Sequence, residues 1–130
     1  MSSKEVRSLC ETRNVLESVT DSTVIFGLSY FGFPARIQIS FDRKSATMTG
    51  IEVKFKEPTK VIEDTLVNHF TRVTGNVPFR QAKEKSVLII TIKMEVAAWK
   101  FPTEAVSLIG AKRNDVMFDL HLSLLPHPKQ

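Results

Sequence analysis

The 130-residue sequence has little of what several classes of protein require. Its single cysteine, Cys10, excludes an internal disulfide and any zinc site that is built from several thiolates. Its five glycines form neither a phosphate-binding loop motif nor a nucleophile elbow. Its longest apolar runs, 87–90 and 96–99, are far shorter than the roughly 20 residues of a membrane-spanning helix. These absences argue against a disulfide scaffold, a nucleotide-binding loop and a helical membrane protein.

No catalytic or metal-binding constellation stands out either. The three histidines, His69, His121 and His127, have neither the helical nor the strand spacing that pairs of metal ligands show. Glu63 and Asp64 are neighbours on a predicted helix, so their carboxylates diverge and cannot share acid–base work. The sequence therefore predicts a protein that is not an enzyme and that holds no cofactor and no metal.

Size and composition are those of an ordinary globular protein. The length fits one domain, 1–130, with a core that buries about two thirds of the unfolded surface. The first residues carry charges of both signs and no apolar stretch like that of a secretory signal, so we expect an intracellular protein, cytoplasmic or nuclear. The formal charge of +4 favours an acidic partner or RNA.

The first half of the sequence alternates between helical and strand periodicity. Residues 3–18 predict a helix whose thin apolar stripe covers a sheet edge or forms the end of a coiled coil. Three alternating segments, 23–31, 37–41 and 49–55, then predict an antiparallel meander. A second helix runs from Pro58 to Gly75. We expect its stripe to pack on the apolar face of the meander, which is formed by Ile37, Ile39, Phe41, Ile51, Val53 and Phe55.

The second half predicts a β-α-β extension. Residues 76–85 look like a polar loop, and 86–96 look like a central strand because the run is β-branched and apolar on both faces. A short helix is predicted from Pro102 to Gly110, then a last strand over 116–124 and a tail over 126–130. The predicted fold class is α+β, in the order α-βββ-α-β-α-β.

Four aromatic residues are candidates for a partner-binding surface. Phe31 and Phe33 flank Gly32 beside a predicted turn, and Trp99 and Phe101 lie near a predicted loop or element end. Aromatic side chains in such places are often half exposed, and exposed aromatics favour protein interfaces. A satellite core cluster is the alternative for these four residues.

The basic residues of the meander and the following loop raise the alternative of nucleic-acid binding. Asp42, Glu52 and Glu57 are interleaved with them, as on an ordinary solvated sheet surface, and acids on a phosphate-binding face reduce counterion release. The residues that would contact nucleic acid are Arg36, Arg43, Lys44, Lys54, Lys56, Arg80, Lys83 and Lys85.

The order of elements in the first 75 residues carries two resemblances. A leading helix, a three-stranded meander and a helix opened by Glu-Pro, in IEVKFKEPTKVIEDTLVNHF, resemble the RWD-type α+β domains of kinetochore proteins over residues 5–75. The Y-P-x-x-x-P signature of many such domains is missing. The same order is similar to the Alu-RNA-binding proteins of the signal recognition particle, which are richer in lysine and lack a β-α-β extension. The first resemblance implies a protein-binding module and the second implies RNA binding.

From these patterns we expect a non-enzymatic module that binds another protein, as a homodimer, a heterodimer or a subunit of a larger assembly. RNA binding is the alternative, and a carrier of a small apolar ligand is a third possibility. No membrane partner is expected.

Overall fold

In a computed structural model, residues 3–13, 15–45 and 47–126 are described, and they contain two helices and eight strands. The chain divides into two compact units, Met1–Lys56 and Glu57–Gln130. Each unit has one helix followed by an antiparallel meander of four strands. The first unit contains α1 (Ser3–Thr12), β1 (Leu16–Val19), β2 (Thr23–Tyr30), β3 (Phe33–Phe41) and β4 (Met48–Phe55). The second contains α2 (Lys60–Thr74), β5 (Phe79–Val87), β6 (Ile90–Lys100), β7 (Glu104–Arg113) and β8 (Val116–Pro126).

The core of the first unit lies between its sheet and α1. In an antiparallel pair, residues directly opposite each other point to the same face, and Phe26 is opposite Ile37 while Ile39 is opposite Ile51. The alternation in β2, β3 and β4 therefore gathers the apolar side chains on one face, as the sequence predicts. Val6 and Cys10 of α1 are buried with this face. The buried cluster comprises Val6, Cys10, Val24, Phe26, Ile39 and Phe41, with Val15, Leu16, Ile37 and Ile51 packed against it.

The helix predicted between Pro58 and Gly75 is confirmed, and both of its ends have local causes. The Thr59 hydroxyl accepts a hydrogen bond from the Ile62 N–H at 3.4 Å, which satisfies one of the amides that a helix start leaves unpaired. Gly75 ends the helix with a φ of 73°, a left-handed conformation that glycine adopts without steric cost.

The core of the second unit lies between α2 and the strands β6 and β7. Leu66 of α2 is completely buried, and the ring of Phe70 lies 5.3 Å from that of Trp99. Strand β7 contributes Leu108, and β8 contributes the fully buried Leu122 directly opposite it. The buried residues of this core are Ile62, Leu66, Phe70, Ala97, Trp99, Val106, Leu108, Leu120 and Leu122.

The predicted α+β fold, with a meander packed on a central helix and a β-α-β extension, is wrong, because the described chain is mostly strand. The prediction assigned α2 to the meander since no other large apolar face precedes it in the sequence. The face that α2 covers is made later, by Trp99, Leu108 and Leu120. In the first unit, α1 contacts β1 and β2, and its Val6 and Cys10 are buried with Val24, Phe26, Ile39 and Phe41.

Three segments of the second half also differ from their prediction. Residues 76–85, predicted as a loop, contain most of β5, and every residue of β5 is exposed, so no apolar alternation announces the strand. Residues 86–96, predicted as a central strand, are divided by a turn at Leu88 and Ile89. Most of residues 102–110, predicted as a helix, belong to β7, in which Val106, Leu108 and Gly110 are buried in alternation.

The N-terminal helix is shorter than predicted. It ends at Thr12 instead of residue 18, and Leu16 belongs to β1. Of the predicted tail, residues 127–130 lie outside the described residues. Neither described helix combines the length and the apolar character needed to cross a membrane.

Candidate interaction surface

The histidines and the carboxylate pair considered from the sequence have local partners in the structure. His69 is half-buried, with its ring 5.1 Å from the ring of Phe70. The His121 Nδ1 lies 3.0 Å from the Asp119 carboxylate, and His127 lies outside the described residues. The Lys60 ammonium is 3.9 Å from Glu63 and 3.5 Å from Asp64. Within the described residues, no group of three or more His, Cys, Asp or Glu side chains could hold a metal ion.

Two of the four predicted aromatic residues lie at the β2–β3 hairpin. Phe31 is 40% exposed and has a φ of 53°, and it forms the two-residue turn with Gly32, whose φ is 82°. Positive φ at both turn residues is the pattern of a type I′ hairpin, in which Asn-Gly is the usual sequence. The Phe31 ring contacts Tyr30 edge-on at 4.9 Å, and Phe33 is half-buried at the start of β3.

The other two predicted aromatics belong to the core of the second unit. Trp99 is 4% exposed, so its ring offers no surface to a partner in this conformation. Phe101 is half-buried, and its ring lies 6.2 Å from that of Phe70. For Trp99 and Phe101 the structure therefore gives the alternative placement, in a core cluster.

Five of the predicted nucleic-acid-binding residues lie in the first unit. Arg36 and Lys54 are opposite each other on the outer face of β3 and β4, and the Arg36 guanidinium is 2.8 Å from the Glu17 carboxylate. Arg43 and Lys44 lie in the β3–β4 turn, and Lys56 follows β4; all three are exposed. One cation of this set is thus already neutralised.

The remaining three predicted basic residues are on β5. Lys83 is opposite Met94 and Lys85 is opposite Ile92, whereas Arg80 is opposite Ala97. Because side chains alternate along a strand, Lys83 and Lys85 share one face and Arg80 points to the other. The three residues therefore do not form one continuous cationic row.

The β5–β6 hairpin of the second unit carries an exposed apolar surface that the sequence patterns do not single out as a site. Its turn residues, Leu88 and Ile89, which we call the hairpin tip, are 98% and 91% exposed. Leu88 has a φ of 56°, at a turn position where glycine is usual. A bulky residue in this conformation costs about 1–2 kcal/mol, and such strained residues concentrate at functional sites.

Apolar side chains continue from the tip along one face of the hairpin. Val87 is opposite Ile90, and Ile92 and Met94 follow on the same face with 42% and 48% of their surfaces exposed. We call Val87, Ile90, Ile92 and Met94 the hairpin face. With Lys83, Glu84 and Lys85 these residues line an open groove of about 580 Å³.

The opposite face of the same hairpin is polar near the tip. Thr91 is opposite Ser86, with their hydroxyl oxygens 3.1 Å apart, and the Lys93 ammonium is 3.1 Å from the Glu95 carboxylate. The hydrogen bond from Lys93 lowers the pKa of Glu95 and raises that of Lys93. The apolar character is therefore confined to one side of the hairpin.

Cationic residues border the hairpin face on both sides. Lys83 and Lys85 lie on β5, and Arg113 on β7 is directly opposite Ile92. We call these three residues the basic margins; all are exposed. The ion pairs of the described residues involve other cations, among them Arg36, Lys60 and Lys93.

A signal for this surface is present in the sequence within the segment 86–96, which the pattern predicts to be a single central strand. The alternation of Ile90, Ile92 and Met94 with Thr91 and Lys93 indicates a strand with one apolar face. The continuous run 87–90 conceals where that strand begins, because two of its residues form a turn that lacks glycine and asparagine.

Comparisons of the chain with protein families, with curated proteins and with solved structures find no match. The resemblance to RWD-type domains remains a prediction, and the structure has four strands between the two helices where the resemblance implies three.

Proposed function

We propose that this chain is a non-enzymatic protein-interaction module whose binding surface is the hairpin face together with the hairpin tip. The observation that carries the proposal is the exposure of Leu88 and Ile89, continued by Ile92 and Met94. Burial of such side chains gives about 1.5–3 kcal/mol each, and contiguous apolar patches that stay in water mark interaction sites.

The strained turn supports the same proposal. A turn of this kind is more stable with glycine than with leucine, and Leu88 makes up none of this loss by packing, since it is almost completely exposed. Burial of the Leu88 side chain against a partner offsets the cost of its exposure and the cost of its backbone conformation, because the side chain then leaves water.

The observations favour a protein over RNA. The basic residues of β5 point to two faces, and Arg36 is paired with Glu17. Single-stranded RNA binds on aromatic side chains that stack its bases, whereas the hairpin face is aliphatic. We also propose an intracellular setting, which suits a chain whose single cysteine, Cys10, is free and buried.

The proposal is tested with a variant that changes two exposed residues of the hairpin face. Tagged wild-type protein and the Ile92→Ser/Met94→Ser variant are used to recover partners from source cells, and each protein lost with the variant is identified and purified. We expect the purified partner to bind the wild type directly, with a Kd that rises at least about tenfold for the variant.

Leu28→Ser/Met48→Ser is the matched control, because Leu28 and Met48 are exposed apolar strand residues of the first unit. It should leave the Kd unchanged. The proposal would be contradicted if both double variants changed the Kd of every purified partner equally. It would also be contradicted if Ile92→Ser/Met94→Ser recovered the same proteins as the wild type.

A further inference from the structure

We infer that the partner docks an amphipathic helix on the hairpin face, with carboxylates on both sides of the apolar stripe of that helix. This inference rests on the proposed function and specifies the chemistry of the partner. It follows from the width of the apolar strip, the charge on its two sides and the residues near its tip.

The dimensions of the strip suit one helix. Ile92 lies on β6 between Lys85 on β5 and Arg113 on β7. Neighbouring strands are about 4.8 Å apart, so the strip between the basic margins is roughly 10 Å wide, which matches the diameter of a helix. Both units already bury an apolar sheet face under a helix, in the general manner of layered folds.

The charge of the margins selects an acidic partner. A helix that lies along β6 presents the residues beside its apolar stripe to Lys83 and Lys85 on one side and to Arg113 on the other. Carboxylates there gain charge-assisted hydrogen bonds, whereas cations are repelled. Asp119 shares this face of the sheet, but it lies two strands from Met94, with Ala111 of β7 between them.

A second copy of this chain fits the surface less well than an acidic helix. Two hairpin faces packed against each other bring basic margins against basic margins, and like charges across an interface oppose association.

A bilayer also fits less well. Met94 is five residues beyond Ile89, which is about 16 Å along an extended strand, so a membrane that meets the hairpin tip leaves the rest of the hairpin face uncovered.

Three synthetic helical peptides of about 21 residues provide the probe, a length at which isolated helices begin to be stable. All share one leucine stripe at i, i+3, i+4 and i+7, and their remaining positions combine alanine with glutamate, glutamine or lysine. Binding to the full chain is measured by fluorescence anisotropy at about 50 and 200 mM salt.

We expect the glutamate peptide to bind at least about tenfold more tightly than the lysine peptide at the lower salt, and the difference to shrink at the higher salt. Lys83→Glu/Lys85→Glu/Arg113→Glu should reverse the order of the two peptides. Arg43→Glu/Lys44→Glu/Lys56→Glu, which makes the same change of charge in the first unit, should leave the order unchanged. Circular dichroism of each variant confirms that it is folded.

The outcomes separate this inference from the proposed function. Equal binding of the three peptides, lost in Ile92→Ser/Met94→Ser, overturns the acidic helix and leaves the protein-interaction module standing. The inference is also overturned if the glutamate peptide binds Ile92→Ser/Met94→Ser as tightly as the wild type, or if no peptide binds. In either case the Kd of the purified partner for the wild type and the variant still tests the proposed function.

Two further measurements test the other occupants. Binding to vesicles of equal parts phosphatidylcholine and phosphatidylserine, abolished by Leu88→Ser/Ile89→Ser but retained by Ile92→Ser/Met94→Ser, would replace the helix with a membrane. A dimeric mass in light scattering that becomes monomeric in Ile92→Ser/Met94→Ser would replace it with a second copy.

Discussion

Leu88 carries two free-energy costs in the isolated chain. Leu88 is 98% exposed, so it packs against no other residue, and its φ of 56° is unfavourable for leucine. Phe31 occupies a similar place in the other unit, with a φ of 53° and an exposed ring. The β7–β8 turn, in contrast, places Asn114 and Asp115 at positive φ, which are residues that tolerate this conformation. The positive-φ positions are thus occupied by favourable residues in the β7–β8 turn, by Phe31 and the favourable Gly32 in the β2–β3 turn, and by the unfavourable Leu88 in the β5–β6 turn.

We predict that Leu88→Gly stabilises the isolated protein by about 1 kcal/mol, because glycine removes the strain of a positive φ and no buried contact is lost. Urea unfolding measures the change in the free energy of unfolding. Ile89→Gly is the control: it removes an equally exposed side chain at a position without positive φ, so it should be neutral or destabilising. Equal effects of the two substitutions would show that the Leu88 conformation stores no strain.

The same contrast explains which single residues sequence patterns identify. Val24, Phe26, Ile39 and Phe41 are buried as their alternation predicts. Trp99 is buried too, although it lies beyond the predicted strand 86–96, because β6 and its alternation continue to Lys100. No sequence pattern identifies Leu88 as exposed, since a run of apolar residues is usually expected to be buried.

At the scale of elements, α2 could be predicted closely because its signals are local. Thr59, Gly75 and a stripe at helical spacing all lie within the segment. The identity of its packing partner could not be predicted, because that depends on strands that come later in the chain. Strand β5 could not be predicted either, because all of its residues are exposed and show no apolar alternation. Its hydrogen bonds to β6 alone define it as a strand.

We predict that only one of two threonine-to-alanine substitutions in and beside α2 destabilises the protein. Thr59→Ala removes the N-cap bond to Ile62 and should lower the free energy of unfolding by about 0.5–1 kcal/mol, a modest value because the bond is long. Thr65 lies within the helix and its hydroxyl donates to the Val61 carbonyl. Thr65→Ala should be neutral or stabilising by up to about 0.5 kcal/mol, since alanine has the higher helix propensity.

Thermal and urea unfolding of both variants check this prediction. A larger loss for Thr65→Ala than for Thr59→Ala would mean that the helix does not begin where the cap places it.

For the molecule as a whole, the basic excess is divided evenly. Up to Lys56 the sequence has eight basic and six acidic residues, and from Glu57 it has ten and eight, so each unit has a formal charge of +2. Proteins that bind nucleic acid concentrate cations on one face or stripe. An excess spread in this way supplies few phosphate contacts at any one place.

We predict weak and shallow salt-dependent binding to single-stranded RNA. With about three cations at a site, the slope of log K against log salt should be about −2, and the Kd should be micromolar or weaker at physiological salt. Anisotropy of a labelled mixed RNA pool measures both quantities. A submicromolar Kd with a slope steeper than about −4 would favour the RNA alternative and count against the protein-interaction module.

The uncovered hairpin tip also has a consequence for the life of the chain in a cell. Two adjacent aliphatic side chains that stay in water resemble the segments that chaperones and proteases select, and a chain under such surveillance is removed in proportion to the time it spends alone. Its abundance would then follow the supply of whatever covers Leu88 and Ile89, so that overproduction without that companion yields degraded or aggregated material.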